Sequence, residues 1–156
     1  MKYKLSKKDK IVVAGITLYR IIYDDDTLGG YLESEINLSQ EGKARVYGNA
    51  RVYGKALVSG NALVYGDALV SGDALVYGDA RVYGKVLVYG NAQVYGKALV
   101  YGNAQVYGKA LVYGNAMVYD NAMVFGDAEV YDNALVSDNA KVFSRARGIR
   151  QGESIR

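Results

Sequence analysis

The chain has 156 residues, is 51% hydrophobic, and carries 19 Gly and 16 Tyr but no Pro, Cys or His, with a formal net charge of +3. Without Cys or His there are no disulfides, no thiolate or imidazole metal ligands, and no chemistry that uses either side chain as nucleophile or base. So small a net charge gives no electrostatic basis for binding nucleic acid or an anionic membrane.

The amino end comes first. Lys2, Lys4, Lys7, Lys8 and Lys10 precede an apolar run from Ile11 to Tyr19, which loosely imitates a secretory signal. Gly15 and Thr17 dilute that run, Arg20 ends it, and Asp24, Asp25 and Asp26 stand where a small-residue cleavage site would lie. The reading is therefore a cytoplasmic protein, and no stretch reaches the ~18 apolar residues of a membrane span. Lys10 to Ala14 and Ile16 to Tyr23, rich in β-branched and aromatic residues around Gly15, are predicted as a β-hairpin. Asp24 to Asp26 read as a turn in preference to a cation site.

Gly30-Tyr31-Leu32 and Ile36-Asn37-Leu38 then start a six-residue rhythm, with Leu32 and Leu38 six apart. Leu38 to Val46 is a step of eight, so Gln40 to Lys43 are expected to hold a two-residue insertion in a wider turn. From Ala44 to Ala146 the unit A-x-V-Y-G-[N/D/K] recurs about seventeen times without insertion or deletion. Alternation puts Ala and Val on one side of a short strand and the middle residue on the other. Tyr-Gly-Asn must turn the chain, because Gly and Asn or Asp tolerate left-handed backbone. Identical turns every six residues generate a solenoid whose coils pair with those above and below.

Two coil lengths compete. Segments such as KVLVYGNAQVYG from Lys85 and KALVYGNAQVYG from Lys97 echo at twelve residues. Stacking at twelve would give a continuous apolar face of Leu63, Leu75, Leu87, Leu99, Leu111 and Met123. It would also place Lys85, Lys97 and Lys109 one above another at the ~4.8 Å strand spacing, which is destabilising. Stacking at eighteen instead sets Asp67 beside Lys85, Asp73 beside Lys55, Asp79 beside Lys97 and Asp127 beside Lys109, with no like charges in contact. Three units per coil is the preferred reading. The expected division is an N-terminal hairpin cap at residues 1–27, a β-helix at 28–147 and a basic tail at 148–156 containing Arg150 and Arg156. Arg145 and Arg147 stand just before that tail.

The run of A-x-V-x-G-[N/D] units resembles the hexapeptide-repeat proteins, and Leu28-Gly29-Gly30-Tyr31-Leu32-Glu33 with Asn37-Leu38-Ser39 is similar to the amino-terminal signature of a bacterial and phage group of them, some labelled transferases. That resemblance implies an all-β fold: a single-stranded, left-handed parallel β-helix of triangular section, three hexapeptides to each 18-residue coil. It also suggests acyltransfer. The enzymes of that family, however, use a His base beside a loop thrust from the helix, and the related carbonic anhydrases bind zinc through three His. This chain has neither His nor such a loop. Glu129 and the repeat aspartates are better read as exposed corner and face residues, so no catalytic, cofactor or metal residue is assigned.

What remains is surface. At eighteen per coil the aromatics form three columns: Tyr47, Tyr65, Tyr83, Tyr101 and Tyr119; Tyr89, Tyr107, Phe125 and Phe143; Tyr77, Tyr95, Tyr113 and Tyr131. Outward Leu63, Leu99 and Leu135 share one face, Leu69 and Leu87 a second, and Leu57, Leu75 and Leu111 the third. Such ladders stiffen the corners, and so many outward leucines point to self-association, as a homo-oligomer or filament, through a face or end to end. A glycan- or protein-binding module and a diverged acyltransferase are the alternatives.

Overall fold

A computed structural model of the chain describes residues 1–143 and 154–155. Ala14 and Gly15, both with positive φ (49° and 79°), form the two-residue left-handed turn that a tight hairpin favours. The turn joins β1 (Tyr3–Val13) to β2 (Ile16–Tyr23), with Val13 opposite Ile16 and Tyr3 opposite Tyr23. The first arm is longer than the predicted one: it starts at Tyr3, contains an irregularity between Leu5 and Lys10, and leaves Ala14 to the turn. The lysines that obscured it in the sequence suit an edge strand, where charge discourages further pairing.

β3 (Leu28–Leu32) pairs antiparallel with β2 on one side and parallel with Arg51–Val52 on the other. The hairpin is thus continuous with one wall of the repeat array. A single 3-10 turn at Glu35–Asn37 follows, and Leu38 bridges to Val58. Leu32 to Val52 and Leu38 to Val58 are twenty residues apart, whereas Val46 to Val64 is eighteen. The two extra residues therefore lie between Leu38 and Val46, as the sequence requires, with Gly42 (φ 71°) in the widened turn.

Among the described residues seventeen two-residue strands follow, from β4 (Arg45–Val46) to β20 (Lys141–Val142). Each pairs in parallel with strands eighteen residues away; Leu87, for example, faces Leu69 and Gln105. This fixes the coil at three units, and the twelve-residue echo has no counterpart in the pairing. Three sheets result. The first carries Arg45, Leu63, Arg81, Leu99, Met117 and Leu135 outward. The second, which includes the hairpin, carries Arg51, Leu69, Leu87, Gln105, Met123 and Lys141. The third carries Leu57, Leu75, Gln93, Leu111 and Glu129.

The interior is a column of Ala and Val. Every Ala from Ala44 to Ala134 and every Val from Val46 to Val136 in the repeats is fully buried, Val86 included. The corners explain the Gly: Gly66 has φ 70°, and a Cβ there would stand 2.9 Å from the Gly84 nitrogen of the next coil. In the last coils Asp120, Asp132 and Asp138 occupy the same corner position with φ 55–57°, a conformation that Asp reaches more easily than other residues with a Cβ.

Beyond Phe143 the backbone of β21 (Ser154–Ile155) pairs in parallel with Leu135–Val136. Two residues of the expected basic tail therefore extend the first sheet. Arg145, Arg147, Arg150 and Arg156, expected to form a solvated charged end, lie outside the described residues.

Candidate functional site

The outward residues of the three faces and the aromatic corners constitute the candidate surface, and the eighteen-residue register decides what each one touches. The ring of Tyr65 stacks on Tyr83 at 4.8 Å between centroids and 4° between planes, Tyr83 on Tyr101 at 5.1 Å, and Tyr101 on Tyr119 at 5.0 Å. Tyr77, Tyr95, Tyr113 and Tyr131 form a second ladder with steps of 4.9, 4.9 and 5.3 Å. Tyr89, Tyr107, Phe125 and Phe143 form the third, at 4.9, 5.0 and 5.4 Å. Near-parallel planes at a strand-like repeat mean offset stacking, worth about 0.5–1.5 kcal/mol a pair beyond area burial.

Tyr47 departs from the expected column. Its ring partner is Tyr23 of the hairpin, tilted at 50° and 5.8 Å away, so Tyr47 belongs to the cap and the stacked run starts at Tyr65. The leucines also differ in degree from the sequence reading. Leu57, Leu63, Leu69, Leu75, Leu87, Leu99 and Leu111 are each half-buried rather than fully exposed. Side chains on the coils above and below, one strand spacing away, cover their flanks. Among the described residues the exposed large hydrophobics are Met1, Val12, Leu28 and Ile36 around the cap, and Phe143 at the end of its ladder.

The charge columns keep the expected order, but their ions do not close into pairs. Among the described residues the salt bridges are Arg20–Asp9 at 3.2 Å and Arg45–Asp25 at 3.7 Å, both within or onto the cap. Amides bridge the coils instead: Asn49 Nδ2 donates to Asp67 Oδ1 at 3.3 Å and Asn61 Nδ2 to Asp79 Oδ1 at 2.9 Å. Lysine and aspartate on adjacent coils gain too little from a surface pair to fix two long side chains in one geometry.

Of the acids considered for chemistry, Glu129, like Asp67 and Asp79 above, has a structural partner. Glu129 Oε2 accepts from the Tyr113 hydroxyl at 3.3 Å, and the phenol is pushed up to about 12, first by burial and then by the Glu129 charge. Tyr77 donates similarly to Gln93 Oε1 at 3.1 Å. Asp25 Oδ1 accepts from the Thr27 backbone and hydroxyl, which holds its carboxyl below the usual range, and Asp26 supplies a positive φ of 62° to the turn. Among the described residues no three His, Cys, Asp or Glu side chains are grouped to hold a metal. The surface hollows lie outside the Ala and Val column, one of them on the first sheet beside Leu63, Arg81 and Leu99.

The amino end is built more fully than the sequence reading foresaw. The first coil lacks a neighbour above it, so its outermost peptide groups need other partners. The Tyr23 hydroxyl donates to the Val46 carbonyl at 3.0 Å and accepts from the Val46 N–H at 2.8 Å, taking the place of a strand on the first sheet. Asn37 Nδ2 donates to the Gly54 and Ala56 carbonyls at 3.1 and 2.8 Å, and Glu33 Oε2 accepts from the Gly54 N–H at 2.7 Å. Lys2 Nζ donates to the Ala44 carbonyl at 2.9 Å. The second sheet is covered by the hairpin itself. Tyr3, whose hydroxyl donates to the Leu38 carbonyl at 2.6 Å, is buried with Ile21 and Tyr23 against the first coil. Isolated polar residues outside the repeat carry no sequence signal for this role.

Three parallel sheets wound from one repeated hexapeptide, capped at the amino end, define a β-solenoid repeat protein. The chain belongs to the YdcK β-solenoid repeat family, whose model matches residues 44–60, 56–72, 68–84, 74–90, 92–108, 104–119 and 110–124, together just over half of the sequence. No curated protein matches it. Among the described residues no helix is long and apolar enough to cross a membrane.

Proposed function

We propose that the chain is a non-catalytic scaffold, a rigid solenoid of the left-handed hexapeptide kind, that works in the cytoplasm by associating with its own copies along its sides. The observation that carries this reading is the pairing of uninterrupted ladders with a blocked end. Each face presents half-buried Leu, Met or Gln in register, with no insertion across the strands from Arg45 to Val142. The amino edge is already satisfied by Tyr23, Asn37, Glu33 and the hairpin. Addition of another molecule to that edge would have to displace these groups, which favours lateral contact over end-to-end growth.

The glycan-binding alternative draws less support, because a sugar stacks on a free ring face and the ladder rings occupy one another's faces. The acyltransferase alternative would need a carboxylate base, and Glu129 is engaged with Tyr113. Light scattering over a range of protein concentrations tests the reading: a mass that rises to a discrete multiple of 16.9 kDa is expected. A constant monomer mass, or acyl-CoA turnover that is lost on substituting one Asp or Glu, would overturn it.

A further inference from the structure

We infer that the third sheet, bearing Leu57, Leu75, Gln93, Leu111 and Glu129, docks face to face and antiparallel on the same sheet of a second copy, about a twofold axis at Asn91 and Gln93. This rests on the self-association proposed above and names its face, partner and register. The evidence is the order of charges beside that sheet. Lys55, Asp73, Asn91, Lys109 and Asp127 occupy one corner column, one coil apart, each with its N–H bonded to the corner carbonyl of the next coil from Lys55 to Lys109. All five are exposed, and none of the four charges takes part in a salt bridge among the described residues.

A twofold axis lying in the interface and perpendicular to the solenoid reverses the order of coils while laying each column on its own counterpart. Read from the cap, the described residues of the column run plus, minus, neutral, plus, minus. Reversed on itself, it sets Lys55 against Asp127 and Asp73 against Lys109 of the second copy, each twice, with Asn91 meeting Asn91. The same operation lays Leu75 on Leu111 and Tyr77 on Tyr113. It brings Gln93 to Gln93, whose Oε1 is already held by Tyr77 while its Nε2 is left to donate across the axis. Leu57 opposes Glu129 at the rim, where Glu129 stays bonded to Tyr113.

The register is selective. A slip of one coil in one direction opposes Lys55 to Lys109, and in the other Asp73 to Asp127; either places like charges in contact. The other faces lack this property. The second sheet's column, Asn49, Asp67, Lys85, Asn103, Asn121 and Asn139, and the first sheet's column, Lys43, Asn61, Asp79, Lys97, Asn115 and Asn133, each contain a single acid. Reversed on itself, either column forms at best two opposite-charge contacts in place of four.

The absence of Cys makes a direct test simple. Asn91→Cys places one thiol on the proposed axis, and Asn103→Cys and Asn115→Cys place one on each of the other columns. Under mild oxidation Asn91→Cys is expected to form a disulfide dimer at least about tenfold faster than the other two. Faster coupling through Asn103→Cys or Asn115→Cys would overturn the third-sheet interface while leaving self-association standing. A protein that stays monomeric at every concentration and couples through none of the three would overturn both. Charge exchange supplies the second arm, with folding of each variant checked by circular dichroism. Asp73→Lys and Lys109→Asp should each weaken the dimer at least about tenfold. The double variant should recover to within about threefold of the parent, although within one chain it sets like charges beside Lys55 and Asp127. No recovery in a folded double variant would contradict the register.

Discussion

At the scale of single residues, the solenoid depends on a small inward residue at the corner of each unit, Ala throughout the described repeats except at Val86. Ala92 and Ala110 sit on adjacent coils, both fully buried, with Ala74 and Ala128 continuing the column at either end. A Leu there adds volume to a fully buried, close-packed column of Ala and Val, where even the one exception, Val86, is shorter than Leu. Leu99 is outward and half-buried, covered only by Arg81 and Met117 on its flanks. Ala92→Leu or Ala110→Leu should therefore destabilise by more than about 3 kcal/mol, whereas Leu99→Ala should cost about 1–2 kcal/mol of lost apolar burial. Urea denaturation followed by circular dichroism measures both; equal tolerance of the two changes would refute the inward assignment of Ala.

At the scale of elements, the cap and the repeats are held by different chemistry. The repeats use main-chain ladders, ring stacking and apolar filling; the phenols of Tyr65, Tyr89, Tyr95, Tyr101 and Tyr113 are also held up by burial, but they stand at half-buried corners and satisfy no coil edge. The cap uses the hydroxyls of two buried tyrosines. Burial, and secondarily the charge of Glu35, pushes the Tyr3 phenol up to about 12, and burial pushes Tyr23 higher still. The folded cap holds these protons more tightly than the unfolded chain, whose ordinary phenol value is 10.0. Their contribution to stability is therefore complete below about pH 10 and is lost as pH climbs through about 12. Hydrogen exchange or proteolysis at alkaline pH should accordingly open the hairpin before the central coils. Simultaneous loss of both would mean that the cap is not the alkali-sensitive element.

The division between cap and repeat is also the division in what the sequence disclosed. The eighteen-residue register was legible because stacking at twelve sets Lys85, Lys97 and Lys109 one above another, whereas at eighteen Lys55 stands beside Asp73 and Lys97 beside Asp79. The two-residue insertion was legible because Leu38 to Val46 breaks a strict count of six. The aromatic ladders followed from the register alone. The long first hairpin arm was not legible, since Lys4 to Lys10 carries no apolar alternation. Neither was the role of Tyr23, Asn37 and Glu33, because a lone polar side chain satisfying a sheet edge leaves no periodic trace. The half-burial of the outward leucines escaped for a similar reason: neighbours one strand spacing away cover a side chain without touching its outer end.

At the scale of the whole molecule, three parallel sheets form a solenoid whose amino end is closed, and the proposed scaffold role assigns adhesion to its sides. Repetition gives every coil the same outline, so a side-to-side contact can draw on every coil, while the corner charges, which differ from coil to coil, set its register. The closed end removes the simplest route to a filament, the addition of one solenoid on top of another. Shape therefore distinguishes the account from its rivals better than mass alone. The most direct measurement is small-angle X-ray scattering on the concentration-dependent species, reading mass and longest dimension together. Lateral association predicts a mass that doubles while the longest dimension stays close to that of one molecule. A longest dimension that grows in step with mass, or a mass that never exceeds the monomer, would contradict it.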